Sequence, residues 1–404
     1  MAPATLRQAT VELQPAPGKG AAAISGATRR KPHICFVAPY AWPVLSRDPT
    51  IKVVGGAEVQ QCILARLLAA NGYRVSMITF DYGQPSPALV DGVTVYNAFR
   101  PDAGVPVLRF LHPRLSTMWR VLRTVDADIY YQRTSAMWTG VVAAFCRRHG
   151  KRSIYACASD RDFEIGREQI RHARDRLLYR WGVAHVDRVV VQNPYQSETC
   201  RRNHRRQALL IPSCYQPPET ARPASLANDR VLWVGTIHDY KRPDWLLDIA
   251  ERLPHRRFVM IGGPSVGGDR FKPGYYEAIR DRAAGLANVE FTGFLPLAQV
   301  EPWFDRARVL VSTSVYEGTP NVFLQAWARG VPTVGTVDVG AAVNTVFADV
   351  EQGAQKVETL LSDDALWSRA SADSLDYFQR NHSSTEVLAR YSRLLDELTL
   401  SREE

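Results

Sequence analysis

The sequence predicts an α/β protein built from two doubly wound parallel-sheet domains that face each other across a cleft. Three observations predict it. Short apolar runs alternate with amphipathic helical patterns along the chain, the signature of βαβ units. The alternation breaks once, at the Pro-rich and aperiodic stretch CYQPPETARPASLAN ending at Asn228, which reads as an interdomain linker. A length of 404 residues exceeds what one core organises and suggests two domains.

Taken in order, residues 1–31 are rich in Ala, Pro, Gly and Thr, hold no aromatic residue, and end in Arg29-Arg30-Lys31. They read as a disordered leader. The first Rossmann-like domain is expected over 32–214. It opens with the strand HICFVAP at His33, followed by a helix from Ala57 that Gly72 stops, and the strand RVSMITF. The rhythm continues through DIYYQR, a helix from Ser135, RSIYACA, a long charged helix from Asp162 to Ala184, then RVVVQN and ALLIPS. After a linker over 215–228, a second domain over 229–383 repeats the pattern with the strands RVLWVG, RFVMIGG, VEFTGF, VLVSTS and VPTVGT. The stretch SSTEVLARYSRLLDELTL reads as one final amphipathic helix over 384–404, capped by Ser383 or Ser384.

Composition narrows the class. Hydrophobic content of 46% and charged content of 23% are ordinary for a globular protein in water. The longest apolar run, around Ser135 to Cys146, falls far short of the roughly 18 residues of a membrane span, and no signal-peptide core is visible. Six cysteines, at 35, 62, 146, 157, 200 and 214, form no Cys-x-x-Cys pair. That pattern predicts a reducing, cytoplasmic setting and no zinc site. Charge is lopsided: residues 1–215 carry 30 Lys and Arg against 15 Asp and Glu, while the remainder carries 20 against 26. A basic first half facing an anionic partner is the functional reading, and a solvated basic surface the plain one.

Nucleotide signatures of the commonest kinds are absent. No Gly-x-Gly-x-x-Gly follows a strand, GPSVGGD from Gly263 lacks that spacing, and no Walker A pattern occurs. Of two Asp-x-Asp pairs, Asp126 with Asp128 enters a strand and reads as structural, while Asp160 with Asp162 opens a helical stretch. Gly55-Gly56-Ala57-Glu58 forms a loop before a helix, where free amides attract anions; a plain tight turn fits as well. VGTIHDYKRP delivers Lys241 and Arg242 just beyond a strand's carboxyl end, where a cation faces the expected cleft and can neutralise a diphosphate.

The most informative stretch is YEGTPNVFLQAWARGVP, from Tyr316 to Pro332. Thr319 and Pro320 read as the cap and first position of a short helix that Gly330 and Pro332 end. Within it Asn321, Gln325 and Arg329 form one polar stripe at four-residue spacing on an otherwise apolar helix. Gly318 allows close approach and the helix start attracts an anion. Glu317 would repel that anion, so its expected partners are neutral sugar hydroxyls. The stripe is then the donor-facing edge of a buried helix.

GGAE, VGTIHDYKRPD with FVMIGGP, VEFTGF and EGTPNVFLQAWARGVPTV, in this order and spacing, resemble the retaining glycosyltransferases of family four, which have the GT-B fold. The resemblance covers about residues 33–400. It implies that Glu317 contacts the transferred hexose and that Gly318, Thr319, Asn321 and Val322 lie where amides hold phosphates. It implies that Lys241 meets the diphosphate, that Gly293 and Phe294 meet the base, and that Gly55 and Gly56 close over the phosphates. Three positions depart from the family pattern. Gln325 stands where a ribose-binding Glu is usual. Thr236, after Gly235, stands where a diphosphate Arg is usual, shifting that duty to Lys241 and Arg242. Asp160 stands near the place of a histidine beside the sugar.

The implied reaction moves a hexose from a nucleoside diphosphate sugar, of UDP or GDP type, to a hydroxyl acceptor with retention. No metal or other cofactor is required. The acceptor expected is lipid-linked or saccharide, in polysaccharide or glycolipid assembly, at the inner face of the membrane. VPVLRFLHPRLSTMWRVLR from Val105, with Arg109, Arg114, Arg120 and Arg123, fits an anionic lipid surface. Internal packing of its apolar face fits equally. A GT-B sugar-nucleotide epimerase and a nucleotide-sugar-binding partner subunit without turnover are the alternatives; no nucleic-acid motif is present.

Overall fold

The central apolar runs in this chain become strands buried on both faces, because helices flank each sheet. The computed structural model describes residues 30–47, 55–104, 110–264 and 272–400. Nearly all of the expected leader, Arg109, and the second half of GPSVGGD lie outside the described residues. In the first half the elements are β1 (His33–Val37), α1 (Trp42–Ser46), α2 (Gly56–Ala70), β2 (Arg74–Thr79), β3 (Ala88–Val90) and β4 (Val93–Asn97). They continue with α3 (Ser116–Val125), β5 (Ile129–Arg133), α4 (Met137–His149), β6 (Arg152–Ala156), α5 (Ala173–His185), β7 (Arg188–Val191), α6 (Pro194–His204) and β8 (Leu209–Leu210). Their sheet order is β3-β4-β2-β1-β5-β6-β7-β8, parallel throughout except for β3 against β4.

The second half holds β9 (Arg230–Val234), α7 (Pro243–Arg252), β10 (Arg257–Ile261), α8 (Tyr275–Ala284), β11 (Val289–Gly293), α9 (Leu297–Phe304) and β12 (Ala307–Ser312). Then come α10 (Asn321–Trp327), β13 (Thr333–Gly335), β14 (Asn344–Val346), α11 (Val350–Ser362), α12 (Asp364–Asn381) and α13 (Ser384–Leu400). The order is β11-β10-β9-β12-β13-β14, all parallel. Each sheet therefore has one point where the strand order reverses, between β1 and β5 and between β9 and β12. Loops leave in opposite directions there and open a crevice at the carboxyl ends.

The chain passes between the halves twice. Tyr215 pairs in parallel with Ser383, its amide donates to His382 O at 3.2 Å, and His382 Nδ1 contacts Ser213 O at 2.7 Å. Burial pushes the His382 imidazole down to about 4. Beyond this crossing α13 returns to the first half, where Val387, Tyr391, Leu394, Leu395 and Leu398 join the core of Ile34, Phe36, Leu64 and Tyr131. On the opposite face α4 and α5 pack so closely that a Cβ on Gly182 would stand 2.5 Å from Gly140 N, and one on Gly140 2.3 Å from Leu178 O.

Two expectations are corrected, and one element was not foreseen. The long helix from Asp162 is not formed: residues 160–163 make one short turn and the helix starts at Ala173. Asp162 instead accepts from the amides of Ala158 and Ser159 and from Tyr155 Oη, closing a capping box with Ser159. The helix expected at Thr319-Pro320 starts at Asn321, with Pro320 left extended at ψ 134, because Gly318 first has to cross the surface of the other half. The hairpin of β3 and β4 was not foreseen. Its two-residue turn, Asp91-Gly92, has φ of 49 and 79, the geometry Asp-Gly favours between strands.

Candidate functional site

The reversal between β9 and β12 brings Lys241 and Glu317 together. Lys241 ends a short turn (Asp239–Lys241) after β9, and Glu317 lies in the loop after β12. Thr313 Oγ1 donates to Lys241 O at 2.6 Å and the Val315 amide to Tyr240 O at 2.7 Å, so one side-chain and one main-chain hydrogen bond tie the two loops together. Lys241 Nζ donates to Glu317 Oε1. Burial alone would push the ammonium down, but the Glu317 carboxylate overrides it and holds Lys241 above its ordinary value.

Asp160 faces this pair from the first half. Its amide donates to Glu317 O at 3.2 Å. Its carboxylate accepts from Asn193 Nδ2 at 3.0 Å and Gln196 Nε2 at 2.9 Å. Burial pushes its carboxyl up to about 6, against the pull of those two amides. Beside it the Arg161 guanidinium lies 3.5 Å over the Tyr316 ring, which in turn stacks on Tyr240 with centroids 4.8 Å apart. Gly318 sits against the same wall: a Cβ there would lie 2.5 Å from Ala158 O and 2.9 Å from Gln192 Nε2. The two halves are closed on each other here.

At the other reversal, Gly55 and Gly56 start α2. Glu58 curls back over them, its Oε2 only 2.0 Å from where a Gly55 Cβ would stand. Its carboxyl group occupies this helix start; burial raises it, while its own amide and nearby Arg133 pull it down. Asn321 closes the gap from the second half: its Nδ2 donates to Gly56 O at 3.2 Å, and its Oδ1 accepts from Gln60 Nε2 at 2.9 Å.

Other expected residues sit further out. Gly235 and Thr236 follow β9, with Thr236 exposed. Arg242 turns its guanidinium over the Trp245 ring at 4.0 Å. Gly293 takes φ 72 and Phe294 is exposed; Thr319 is half-buried, and Val322 packs on the second core. A shallow pocket of about 170 Å³, lined by Ile237, His238, Pro264, Tyr275 and Tyr276, lies beside the turn after β9. It is smaller than the roughly 300–1,000 Å³ of most small-molecule sites.

The polar stripe divides its duties. Asn321 serves the contact with the first half. Gln325 Nε2 donates to Glu301 Oε1 at 2.9 Å, and Arg329 pairs with Glu301 at 2.9 Å and Asp305 at 2.6 Å. The reading of the whole stripe as a donor-facing edge is thus corrected for Arg329, which is 3% exposed and held by two carboxylates.

Several residues of the closed crevice were missed from sequence. Arg133, at the carboxyl end of β5, is 6% exposed and has no ion pair among the described residues. It donates to Ser213 Oγ at 3.0 Å, and Ser213 donates to Gln192 Oε1 at 2.7 Å. Thr134, next to it, holds φ 73, a strained setting for a β-branched residue. The signal was legible: YYQR and VVVQN each end an apolar strand in polar residues, which is where a crevice lies.

Two parallel-sheet halves, hinged by paired crossings and meeting over strand-end loops, define the GT-B class of fold. Solved structures of this class share it: sucrose-phosphate synthase from Thermosynechococcus elongatus has a TM-score of 0.72 at 17% identity, covering 92% of this chain and 100% of that one. The Anabaena protein HepE in complex with UDP and glucose gives 0.68 at 15% identity, covering 90% and 99%. Residues 228–363 match the family model "Glycosyl transferases group 1", and residues 55–213 match "Glycosyl transferase 4-like domain". The chain belongs to the group 1 glycosyltransferases of the family-four type, a retaining family. A curated relative, D-inositol 3-phosphate glycosyltransferase of Mycobacterium avium, is 30% identical over 190 residues, or 44% of this chain and 45% of that protein. The Mycolicibacterium vanbaalenii protein of the same name is 28% identical over 256 residues, 57% and 56% respectively. The chain spans about half the length of these relatives.

Proposed function

We propose that this protein transfers a hexose from a nucleoside diphosphate sugar to a hydroxyl acceptor with retention at the anomeric carbon. The observation that carries the reading is the Lys241–Glu317 pair at the reversal of the second sheet, with Asp160 bonded to it from the first. Lys241 supplies positive charge where a leaving diphosphate gains negative charge. Glu317 accepts hydrogen bonds from sugar hydroxyls. The bond from the anomeric carbon to the diphosphate oxygen breaks, and the acceptor oxygen bonds to that carbon on the same face. The departing phosphate takes the acceptor proton. This chemistry requires no metal, and EDTA is expected to leave turnover unchanged. HepE, with UDP and glucose bound, supports a UDP-type donor.

The acceptor side is proposed to lie in the first half, on a lipid-linked or saccharide substrate of polysaccharide or glycolipid assembly, at an anionic inner membrane surface. Among the described residues no helix is long and apolar enough to cross a membrane, so contact would be peripheral. Met118, Leu122 and Val125 of α3 are buried with Cys35, Tyr130 and Phe145 on the other face of the first sheet, leaving Arg120 and Arg123 exposed, as are Arg147 and Arg148 of α4. Attachment would therefore be mainly electrostatic.

A thermal-shift series with UDP, GDP, ADP and their sugars tests the donor, since a bound ligand raises apparent stability. The expected result is stabilisation by one nucleotide and its sugar, then transfer of labelled hexose to a membrane-lipid extract. No shift with any of them would sink the proposal. Flotation with anionic and neutral vesicles tests the surface; equal binding to both would remove it.

A further inference from the structure

The carboxyl ends of β1, β2, β4 and β5, neighbours in the order β4-β2-β1-β5, carry a row of aromatic rings. Trp138 of α4, Phe99 and Phe80 are all buried, with successive ring centroids 6.0 and 5.1 Å apart. Tyr40 completes the row, its centroid 4.8 Å from that of Phe80 and its plane at 87° to it. Unlike the other three, it is 55% exposed. Main-chain bonds hold the row in place: the Phe80 amide donates to Pro39 O at 2.7 Å and the Asp81 amide to Phe99 O at 3.0 Å. A large ring fixed by a buried row, yet left open, suits a ligand with an apolar side.

Beside it lies a cation without an anion. Arg114, in the turn Leu111–Leu115 between β4 and α3, is half-buried, whereas Arg120 and Arg123 of the same basic stretch are exposed. Among the described residues its Nε, shielded from water, has no hydrogen-bond partner, and no carboxylate pairs with its guanidinium. A shielded donor without an acceptor is uncommon and points to a missing partner. Burial raises the Tyr40 hydroxyl, Arg114 lowers it and Glu58 raises it again, so both groups stand near this ring. Glu58 lies in the first turn of α2, where Asn321 of the second half reaches Gly56 O. The row therefore borders the closed crevice.

We propose that this surface is the acceptor subsite and that the acceptor is an anionic saccharide: a sugar ring packs on Tyr40, and its phosphate or carboxylate group meets Arg114. The carbon-bound hydrogens of a sugar ring make one side apolar enough to pack on an aromatic ring, while its hydroxyls stay wet. A guanidinium forks onto the paired oxygens of a phosphate or a carboxylate. An apolar chain would leave Arg114 unmatched, and a bare anion would leave Tyr40 uncovered. The inference rests on the proposed function, whose acceptor it narrows.

Ligand-observed NMR on the full chain, with the stabilising nucleotide present, measures binding of glucose, glucose 6-phosphate, glucuronate and inorganic phosphate. One of the two anionic sugars is expected to bind about tenfold more tightly than glucose, and which of them does so separates a phosphate from a carboxylate acceptor. In Arg114→Gln that advantage closes to within about twofold, while Arg114→Lys, which keeps the charge, retains most of it. Tyr40→Leu, apolar but without a ring, weakens all three sugars at least about threefold and leaves inorganic phosphate unchanged. Glucose bound as tightly as both anionic sugars, an advantage that survives Arg114→Gln, or no sugar bound by wild type overturns the inference. Inorganic phosphate bound as tightly as the sugars shows an anion site alone and overturns the saccharide. In each of these cases the nucleotide-induced melting shift of wild type leaves the donor reading standing; its absence sinks the proposed function instead.

Discussion

The backbone amide of Asp160 donates to the carbonyl of Glu317 at 3.2 Å, from one half of the molecule to the other. A main-chain bond fixes the spacing of these two acids more rigidly than side chains could, because neither end has a rotamer to change. Gly318 follows directly, and its missing side chain lets the strands of contact approach. Gly318→Ala would place a carbon 2.5 Å from Ala158 O, which no real contact allows. The expected outcome is a protein that melts within a few degrees of wild type but stays more open, with scattering showing a larger radius of gyration. Transfer should fall at least tenfold.

Glu317→Gln keeps an acceptor for Lys241 but removes its charge. Turnover is expected to fall about 10²- to 10³-fold, the range for losing one preorganised group at the reacting centre. Stability should drop by only about 1–3 kcal/mol, the worth of a charge-assisted hydrogen bond. Steady-state kinetics and denaturant titration together check both parts; near-normal turnover would remove Glu317 from the site.

Asp160 makes a pH signature. Its carboxyl is raised to about 6 in the fold, against about 3.9 when unfolded. Between these values the folded state holds the extra proton, so this group's contribution to stability falls as pH rises from about 4 through 6. Asp160→Asn still offers an oxygen to Asn193 and Gln196 and has no charge to bury. Its stability relative to wild type should therefore rise by about 2 kcal/mol between pH 4 and 7. Parallel melts of the two proteins measure this, and a pH-independent difference would contradict it.

Gly182→Ala tests the α4–α5 contact, remote from the crevice. Its new carbon would stand 2.5 Å from Gly140 N and from Thr139 C, both backbone atoms of a buried helix. The helices have to separate, at a cost of about 1–3 kcal/mol or more. Urea titration should show it, with the donor-induced melting shift preserved.

How much of this was legible in the sequence depends on the range of the interaction that decides each feature. Strands and helices follow from local periodicity, so both sheets and the break near Cys214 could be read. Lys241 and Glu317 could be placed because each ends a strand, and strand ends line a crevice. What could not be read was who meets whom. Asn321 spends its side chain on Gln60, 261 positions away. Gln325 answers to Glu301 on a different helix. Asp162 looked like a helix opener, but captured the amides of Ala158 and Ser159 instead. The β3–β4 hairpin is different: Asp91-Gly92 between β-branched residues was a local signal, and it was passed over.

The return of α13 sets an order of events during synthesis. Residues 32–214 leave the ribosome before the second half, yet Val387, Tyr391, Leu394, Leu395 and Leu398 of their core are made after it. The first half must wait, partly unsealed, while the second half, complete by about residue 383, can close around Val231, Leu247 and Phe258. Nascent chains stalled before Ser384 should therefore show a protease-resistant second half and a sensitive first half, and protection of both only once Leu400 has left the ribosome. The half translated first is the half that finishes last.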